Sequence, residues 1–324
     1  MSNAYSAMNG QKALILNLQR LSTEDGPGLR TTIFFKGCPL RCEWCHNPES
    51  IDPKPQIHWL SNRCIGDRAC ISACPRQALG IGQIGQTEIN RSVCTGCGTC
   101  AEACPGGAIE KLGKETSLEE LLIELRKDRA YFTQEGGVTA SGGEPMLQSA
   151  FVAELFKQLK AEGFHTALDT SGAYSLQRLE QILPHTDLVL YDLKLIDPQE
   201  SLTFTGMRNE LILENLKALT ARIRQGAAVK LWIRTPLIPS ATATEANLNG
   251  IARWLEENAA DVVERWEICA FNNLCADKYS RLGMEWRYKS QPLFNQEALE
   301  HFQDLARAHY LNPDRVSVTG SAKK

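Results

Sequence analysis

Long apolar runs are missing from this sequence of 324 residues. No stretch approaches the ~20 residues that span a bilayer. The opening MSNAYSAMNGQK also has neither the basic start nor the apolar core of a signal peptide. The expectation is a cytoplasmic protein with no membrane partner. A basic excess is missing too: 35 Lys and Arg against 38 Asp and Glu leave a formal charge of -3, which offers no footprint for nucleic acid. The six histidines form no catalytic grouping, and His46, between Cys45 and Asn47, reads as support for a neighbouring ligand set. A fourth cysteine is absent from the loop FFKGCPLRCEWCHNPES, where Cys38, Cys42 and Cys45 stand in a C-x3-C-x2-C spacing.

Cysteine itself is abundant. There are 12, and ten of them lie between Cys38 and Cys104, leaving only Cys269 and Cys275 elsewhere. A reducing compartment argues against disulfides, whereas metal or cluster ligation uses thiolates directly. The distribution is that of a local cofactor region within a larger scaffold. Cys275 reads as a buried inert thiol.

The scaffold reads as α/β. KALILNL and LRTTIFF are two short strands separated by the turn-rich STEDGPG. From residue 117 onward, helical periodicity alternates with compact β-type runs, as in SLEELLIELRKD before GGVTASGG and AFVAELFKQLKAEG before FHTALDTSG. DLVLYDLKL, VKLWIRTPL and RWEICAF continue the alternation, which implies right-handed βαβ units in a parallel sheet or barrel. Counting from LRTTIFF gives six strands, with DRVSVTG a further edge strand. Ligands of such folds sit at the C-terminal strand ends. Cys38 to Cys45, SGGEP, DTSG, DLK, Arg234 and FNN all fall there and converge on one mouth.

Residues 55–112 break the pattern and read as an inserted module, dividing the chain into 1–54, 55–112 and 113–324. CTGCGTCAEACP places Cys94, Cys97, Cys100 and Cys104 in C-x2-C-x2-C-x3-C-P, the bacterial ferredoxin run whose fourth cysteine serves the other cluster. Zinc is the alternative, but zinc sites have no need of the trailing C-x3-C-P. CIGDRACISACP keeps the frame at Cys64, Cys70 and Cys74, with Asp67 at the second ligand position. Crossed ligation assigns Cys94, Cys97, Cys100 and Cys74 to one [4Fe-4S] cluster. Cys64, Cys70 and Cys104, with Asp67 or solvent, fall to the other. Asp67 facing water over a site that holds nothing stable is the other reading. A carboxylate is a harder ligand than a thiolate and would make its iron labile.

Three cysteines on one loop can hold three irons of a cube and leave the fourth open. In its C-x3-C-x2-C loop the sequence resembles the radical S-adenosylmethionine (SAM) enzymes. The resemblance extends to a narrower family: Asp25 followed by GPGLRTTIFFKGCPLRCEWCHN, then GGVTASGGEP, LDTSG, YDLK and the two-cluster insert. In that order these motifs are similar to the glycyl radical enzyme activating enzymes. The resemblance implies an incomplete (β/α)6 TIM-like barrel with a ferredoxin-like α+β insert. It implies a [4Fe-4S] cluster on Cys38, Cys42 and Cys45, two auxiliary clusters, SAM and room for a monovalent cation. The implied reaction is reductive cleavage of SAM to a 5'-deoxyadenosyl radical, which takes hydrogen from a glycine of a partner glycyl radical enzyme. Flavodoxin or ferredoxin is the implied electron donor.

Roles carried over by the resemblance fall on Trp44 near the adenine and on Gly142, Gly143 and Glu144 at the amino group. They extend to Asp169, Thr170 and Asp192 for cofactor and cation, Lys194 at the carboxylate, and Arg234. Asn272 stands where relatives often have histidine, so that contact keeps hydrogen bonding but cannot titrate. Asp25, Gly26, Pro27, Gly28 and Arg30 match the segment that helps receive the partner's glycyl loop, and are also a tight turn. Two rivals remain at this stage: a radical enzyme acting on a small molecule, and an electron-transfer protein whose barrel merely carries clusters. Nothing in the motifs selects a particular partner.

Overall fold

Residues 12–83, 85–132, 135–310 and 312–320 are described by the computed structural model. The signal-peptide reading of the N-terminus falls on residues 1–11, outside them. β1 (Lys12–Ser22) outruns its KALILNL segment, and β2 (Arg30–Phe35) returns antiparallel beside it. Between them Gly26 and Gly28 take φ of +118° and +68°, backbone that side chains with a Cβ rarely adopt. Residues 56–112 carry β3 (Gln56–Trp59), α1 (Ala69–Ser72), β4 (Leu79–Ile81), β5 (Thr87–Ile89), α2 (Thr99–Glu102) and β6 (Ile109–Leu112). β7 (Lys114–Ser117) then rejoins the main sheet by pairing with β1.

The alternation that follows is α3 (Leu118–Arg126), β8 (Gly137–Gly142), α4 (Ser149–Ala161), β9 (His165–Thr170), α5 (Leu176–Ile182) and β10 (Leu188–Asp192). It continues through α6 (Pro198–Thr205), α7 (Glu210–Arg224), β11 (Lys230–Leu237), α8 (Glu245–Asn258), β12 (Val263–Ala270), α9 (Ala276–Arg281), α10 (Gln296–Ala308) and β13 (Val316–Thr319). Local chemistry sets the helix starts. Ser117 and Glu120 form a reciprocal capping box at α3, and Asp197 with Pro198 opens α6.

The strands form one nine-stranded sheet in the order β7-β1-β2-β8-β9-β10-β11-β12-β13. β2 and β8 to β13 run parallel. The six-strand expectation is met by β2 and β8 to β12, and DRVSVTG supplies β13 as a seventh parallel strand at the edge. β7 and β13 lie at opposite edges, so the sheet is open, consistent with a partial barrel. Parallel strands are covered on both faces, which is why Leu188, Val189, Leu190 and Tyr191 of β10 are all buried. Leu155, Phe156 and Leu159 of α4, Leu216 and Leu219 of α7, and Leu248, Ile251 and Leu255 of α8 supply the helical side of the core.

Within residues 56–112, β3 and β6 pair antiparallel with Gln56 opposite Leu112, so the segment leaves and returns on one two-stranded stem. Its two halves repeat. The Ala78 N–H donates to Cys74 Sγ and the Ala108 N–H to Cys104 Sγ, both at 3.3 Å. Arg91 ties the segment to the main body, donating to the carbonyls of Ile57 at 3.0 Å and Leu282 at 2.8 Å.

Candidate functional site

A cavity of about 450 Å³ opens at the C-terminal ends of β2 and β8 to β12. Cys38, Cys42, Trp44, Cys45, Gly142, Gly143, Asp169, Thr170, Asp192, Lys194, Arg234 and Asn272 all line it. The fold therefore brings together residues scattered over more than 230 positions.

The cysteine loop is held from several sides. Gly37 N–H donates to Ser50 O at 2.6 Å and Cys38 N–H to Ile51 O at 3.1 Å, while Arg41 and Glu43 N–H groups reach Thr205 and Phe204 carbonyls. Burial pushes the three thiols up: Cys42 to about 11, Cys45 to about 12, and Cys38 well above its ordinary value. Metal bound by these thiols would displace their protons. Among the described residues no three His, Cys, Asp or Glu groups converge as for a single metal ion. Trp44 is buried against Phe204, with ring centroids 6.3 Å apart, and also faces the cavity, so packing and lining hold at once.

Opposite the cysteines stands a row of buried charges. Asp169 Oδ2 accepts from Ser141 Oγ at 2.6 Å, whereas its buried Oδ1 has no hydrogen-bond partner. Burial, then repulsion from Asp192, pushes the Asp169 carboxyl up to about 7 against the opposing pull of Arg234. Lys194 Nζ pairs with Asp192. Burial is the largest influence and disfavours the Lys194 charge, but Asp192, Cys42 and Asp169 together outweigh it and the net shift is upward. Arg234 lies 3.6 Å from Asp169 Oδ1 and 3.4 Å from Glu267 Oε2, and its Nε has no hydrogen-bond partner. A buried acceptor and a buried donor thus sit in ion pairs, Asp169 Oδ1 with Arg234 and Arg234 Nε with Glu267, but lack a hydrogen bond, and with three thiols lining the same cavity the donor set fits a cluster and a zwitterionic ligand.

Glu144 departs from expectation. Its side chain is fully buried and does not line the cavity. Oε1 accepts from Thr170 Oγ1 at 2.8 Å and Met146 N–H at 3.1 Å, and Oε2 from Ser171 N–H at 2.8 Å and Ser171 Oγ at 2.6 Å. Chain donors reach both oxygens of the carboxylate, and from this motif Gly142 and Gly143 line the cavity.

Residues 32–246, over half the chain, match the model of the Radical SAM superfamily. The (2S)-3-sulfopropanediol dehydratase activating enzyme of Klebsiella oxytoca is 38% identical over 317 residues, 96% of this chain and 98% of that one. The trans-4-hydroxy-L-proline dehydratase activating enzyme of Clostridioides difficile is 36% identical over 303 residues, covering 92% and 97%. The chain belongs to the radical SAM activating enzymes of glycyl radical enzymes. In fold, this activating enzyme is similar to Streptococcus suis SuiB bound to precursor peptide SuiA, with a TM-score of 0.51 at 10% identity over 87% of this chain and 46% of that one. Membership implies one [4Fe-4S] cluster and SAM.

Several contributors to the activating enzyme's site escaped sequence reasoning. Cys269, Thr319 and Gly320 line the cavity from β12 and β13. Behind the cysteine loop, Tyr279 Oη donates to Cys45 O at 2.9 Å and Trp286 Nε1 to Glu43 O at 3.1 Å, and the two rings stack at 5.3 Å. Lys278 bridges Asn47 at 2.6 Å and Glu49 at 2.8 Å. The aromatic density of residues 279–288 is the one sequence signal for this clamp. Asp25 also reaches the cavity, its Oδ2 accepting from Ser22 and Thr32 hydroxyls at 2.6 Å. Asn272 lines the rim, and its backbone hydrogen-bonds His46.

The remaining cysteines separate into two groups. Cys64, Cys70 and Cys104 line a cavity of about 110 Å³ together with Asp67. Cys74, Cys94 and Cys97 all bear electrostatically on Cys100, whose thiol is pushed up to about 11 by burial and then by them.

Proposed function

We propose that Cys38, Cys42 and Cys45 hold a [4Fe-4S] cluster whose fourth iron is open to the amino and carboxylate groups of SAM. When bound, these groups supply reductive cleavage of the sulfonium and the 5'-deoxyadenosyl radical that takes a hydrogen atom from a glycine Cα of the partner. The chain's own residues position and enclose. Backbone at Gly142 and Gly143 lets the ligand approach closely, and Asp169 Oδ1 with Asp192 offers acceptors to an ammonium or a monovalent cation. Lys194 meets the ligand carboxylate as a point charge, Arg234 adds a polar contact, Trp44 flanks the adenine, and Thr170 and Asn272 complete the wall. No general acid or base is needed, because placement near one C–H bond and exclusion of water carry the step.

Residues 55–112 form, in this reading, a ferredoxin-like module between the two barrel segments 1–54 and 113–324. Its cysteines hold two auxiliary clusters that receive electrons from a flavodoxin or ferredoxin. The separation of Cys74, Cys94, Cys97 and Cys100 from Cys64, Cys70 and Cys104 supports crossed ligation. The partner is a glycyl radical enzyme met in the cytoplasm, and the relatives at 38% and 36% identity make dehydratases of small hydroxylated substrates the first to try.

The single observation that carries this reading is the shared cavity of the three thiols and the unmet polar atoms of Asp169 and Arg234. Anaerobic, reconstituted and reduced enzyme is mixed with SAM and a candidate dehydratase. The expected result is release of methionine and 5'-deoxyadenosine together with a glycyl doublet in electron paramagnetic resonance. A cluster signal unchanged by SAM, with no methionine released, overturns it.

A further inference from the structure

We propose that Asp67 is the fourth protein ligand of the outer auxiliary cluster, and that this cluster gives up one iron reversibly while its all-cysteine neighbour does not. The inference rests on the reading that residues 55–112 carry two clusters.

The backbone keeps a ligand turn where the thiolate is gone. In the second half of the module, Gly98 follows Cys97, takes φ of +100° and starts α2. In the first half, Arg68 follows Asp67, takes φ of +64° and starts α1. A residue with a Cβ enters that region only against steric cost, so Arg68 is held there by the loop around it. Asp67 accordingly occupies the register of Cys97.

The side chains agree. Asp67 shares its cavity of about 110 Å³ with Cys64, Cys70 and Cys104, closed on the apolar side by Trp59, Ile71 and Ile109. Its charge and that of Cys104 both bear on the Cys70 thiol. The nearby Arg63 is engaged elsewhere, 2.7 Å from Glu110. Among the described residues the Asp67 carboxylate has no hydrogen bond or ion pair of its own, and its two oxygens are available.

Position makes this site the outer one. Two of its four ligand residues, Cys64 and Asp67, are exposed, against Cys97 alone in the other set, and a Cβ built at Gly66 meets nothing within 4 Å. At the matching turn of the other half, a Cβ at Gly96 would lie 2.1 Å from the Pro55 carbonyl oxygen, against the entry of the stem.

Chemistry then follows from ligand softness. A carboxylate holds a cluster iron less firmly than a thiolate does. Ferricyanide removes one electron, the Asp67–iron bond breaks, and Fe2+ leaves: [4Fe-4S]2+ gives [3Fe-4S]+, Fe2+ and the electron that reduces ferricyanide to ferrocyanide. Ferrous ion with a one-electron reductant reverses the step.

The barrel cluster also has an iron without a protein ligand, so the test uses the full chain carrying C38A, C42A and C45A, reconstituted anaerobically with iron and sulfide. Ferricyanide is then added and the three-iron signal is read by electron paramagnetic resonance. The chain with Asp67 is expected to give that signal and to lose it on return of ferrous ion and dithionite. D67C is expected to lower it about tenfold or more. Should D67C fail to load, D67N serves as the second arm, because a neutral amide is the weaker donor and conversion moves to a lower ferricyanide dose. Equal signals from the Asp67 and D67C chains, no signal from the Asp67 chain, or equal dose dependence for D67N overturns the proposal. A chain that takes up no iron in the triple-alanine background overturns the two-cluster reading itself, and the ligand assignment with it.

Discussion

Gly143→Ala tests whether the second glycine of GGEP is there for space. Gly143 N–H donates to Phe35 O at 2.9 Å, the next N–H, of Glu144, donates to Gly37 O at 2.7 Å, and Gly37 N–H donates to Ser50 O at 2.6 Å. Three backbone segments therefore cross within hydrogen-bond distance beside Cys38. A Cβ at position 143 would lie 2.2 Å from Gly37 O, 2.8 Å from Gly37 C and 3.0 Å from Ser50 O. An ordinary C···O approach is about 3.3 Å, so the overlap is about 1 Å and falls on backbone that cannot rotate aside. Overpacking of this kind costs about 1–3 kcal/mol, and loss of the Glu144 to Gly37 bond adds about 1 kcal/mol. Relief comes only by moving Gly37 and with it the first cysteine. The expected outcome is a cofactor-free protein less stable by about 2–4 kcal/mol in urea, with reduced iron loading at the barrel site. Gly80→Ala is the control: its Cβ meets nothing within 4 Å, and stability should hold within about 0.5 kcal/mol. A G143A protein that matches wild type in both urea midpoint and iron content refutes the reasoning.

Tyr279→Phe removes the 2.9 Å bond to Cys45 O while keeping the stack on Trp286; a loss of about 0.5–1.5 kcal/mol and faster bleaching of the barrel cluster by a chelator are expected. Lys194→Met leaves Asp192 without its partner and should raise the KM for SAM about tenfold or more, with unchanged KM counting against the carboxylate contact. Glu144→Gln sets an amide NH2 against hydroxyl and N–H donors, costs about 1–3 kcal/mol of stability, and should move the KM for SAM far less than K194M does. Burial and then Arg30 hold His165 at about 4 rather than 6.5. Between those values the unfolded chain binds the proton first, so stability falls with pH, by about 1–2 kcal/mol from pH 7 to pH 5 after allowance for partial exposure. His165→Gln should remove that slope from urea midpoints measured at the two pH values, and an unaltered slope refutes the assignment.

Strands buried on both faces announce themselves as short apolar runs, which is why β8 to β12 were legible at nearly their true positions. β1 was read too short because its last third, Gln19 to Ser22, shifts register against β2 and puts Leu21 at φ of +57°, behaviour that no alternation encodes. The clamp of Tyr279, Lys278 and Trp286 on the cysteine loop joins residues more than 230 positions apart, and only tertiary folding brings them together. Glu144 shows a deeper limit. Residue type and place at a strand end put it among the ligand groups, yet the loop carrying Thr170 and Ser171 supplies three donors to its two oxygens and the Met146 N–H a fourth. Asp169 sits at the end of the neighbouring strand with the same functional group and keeps one buried oxygen unmet, as Arg234 keeps one buried nitrogen. What distinguishes the two carboxylates is residual hydrogen-bonding capacity, a quantity fixed by partners elsewhere in the chain. The motif narrows the field to a handful of charged residues; the atoms left with an ion pair but no hydrogen bond pick out those with capacity to spare for a polar ligand.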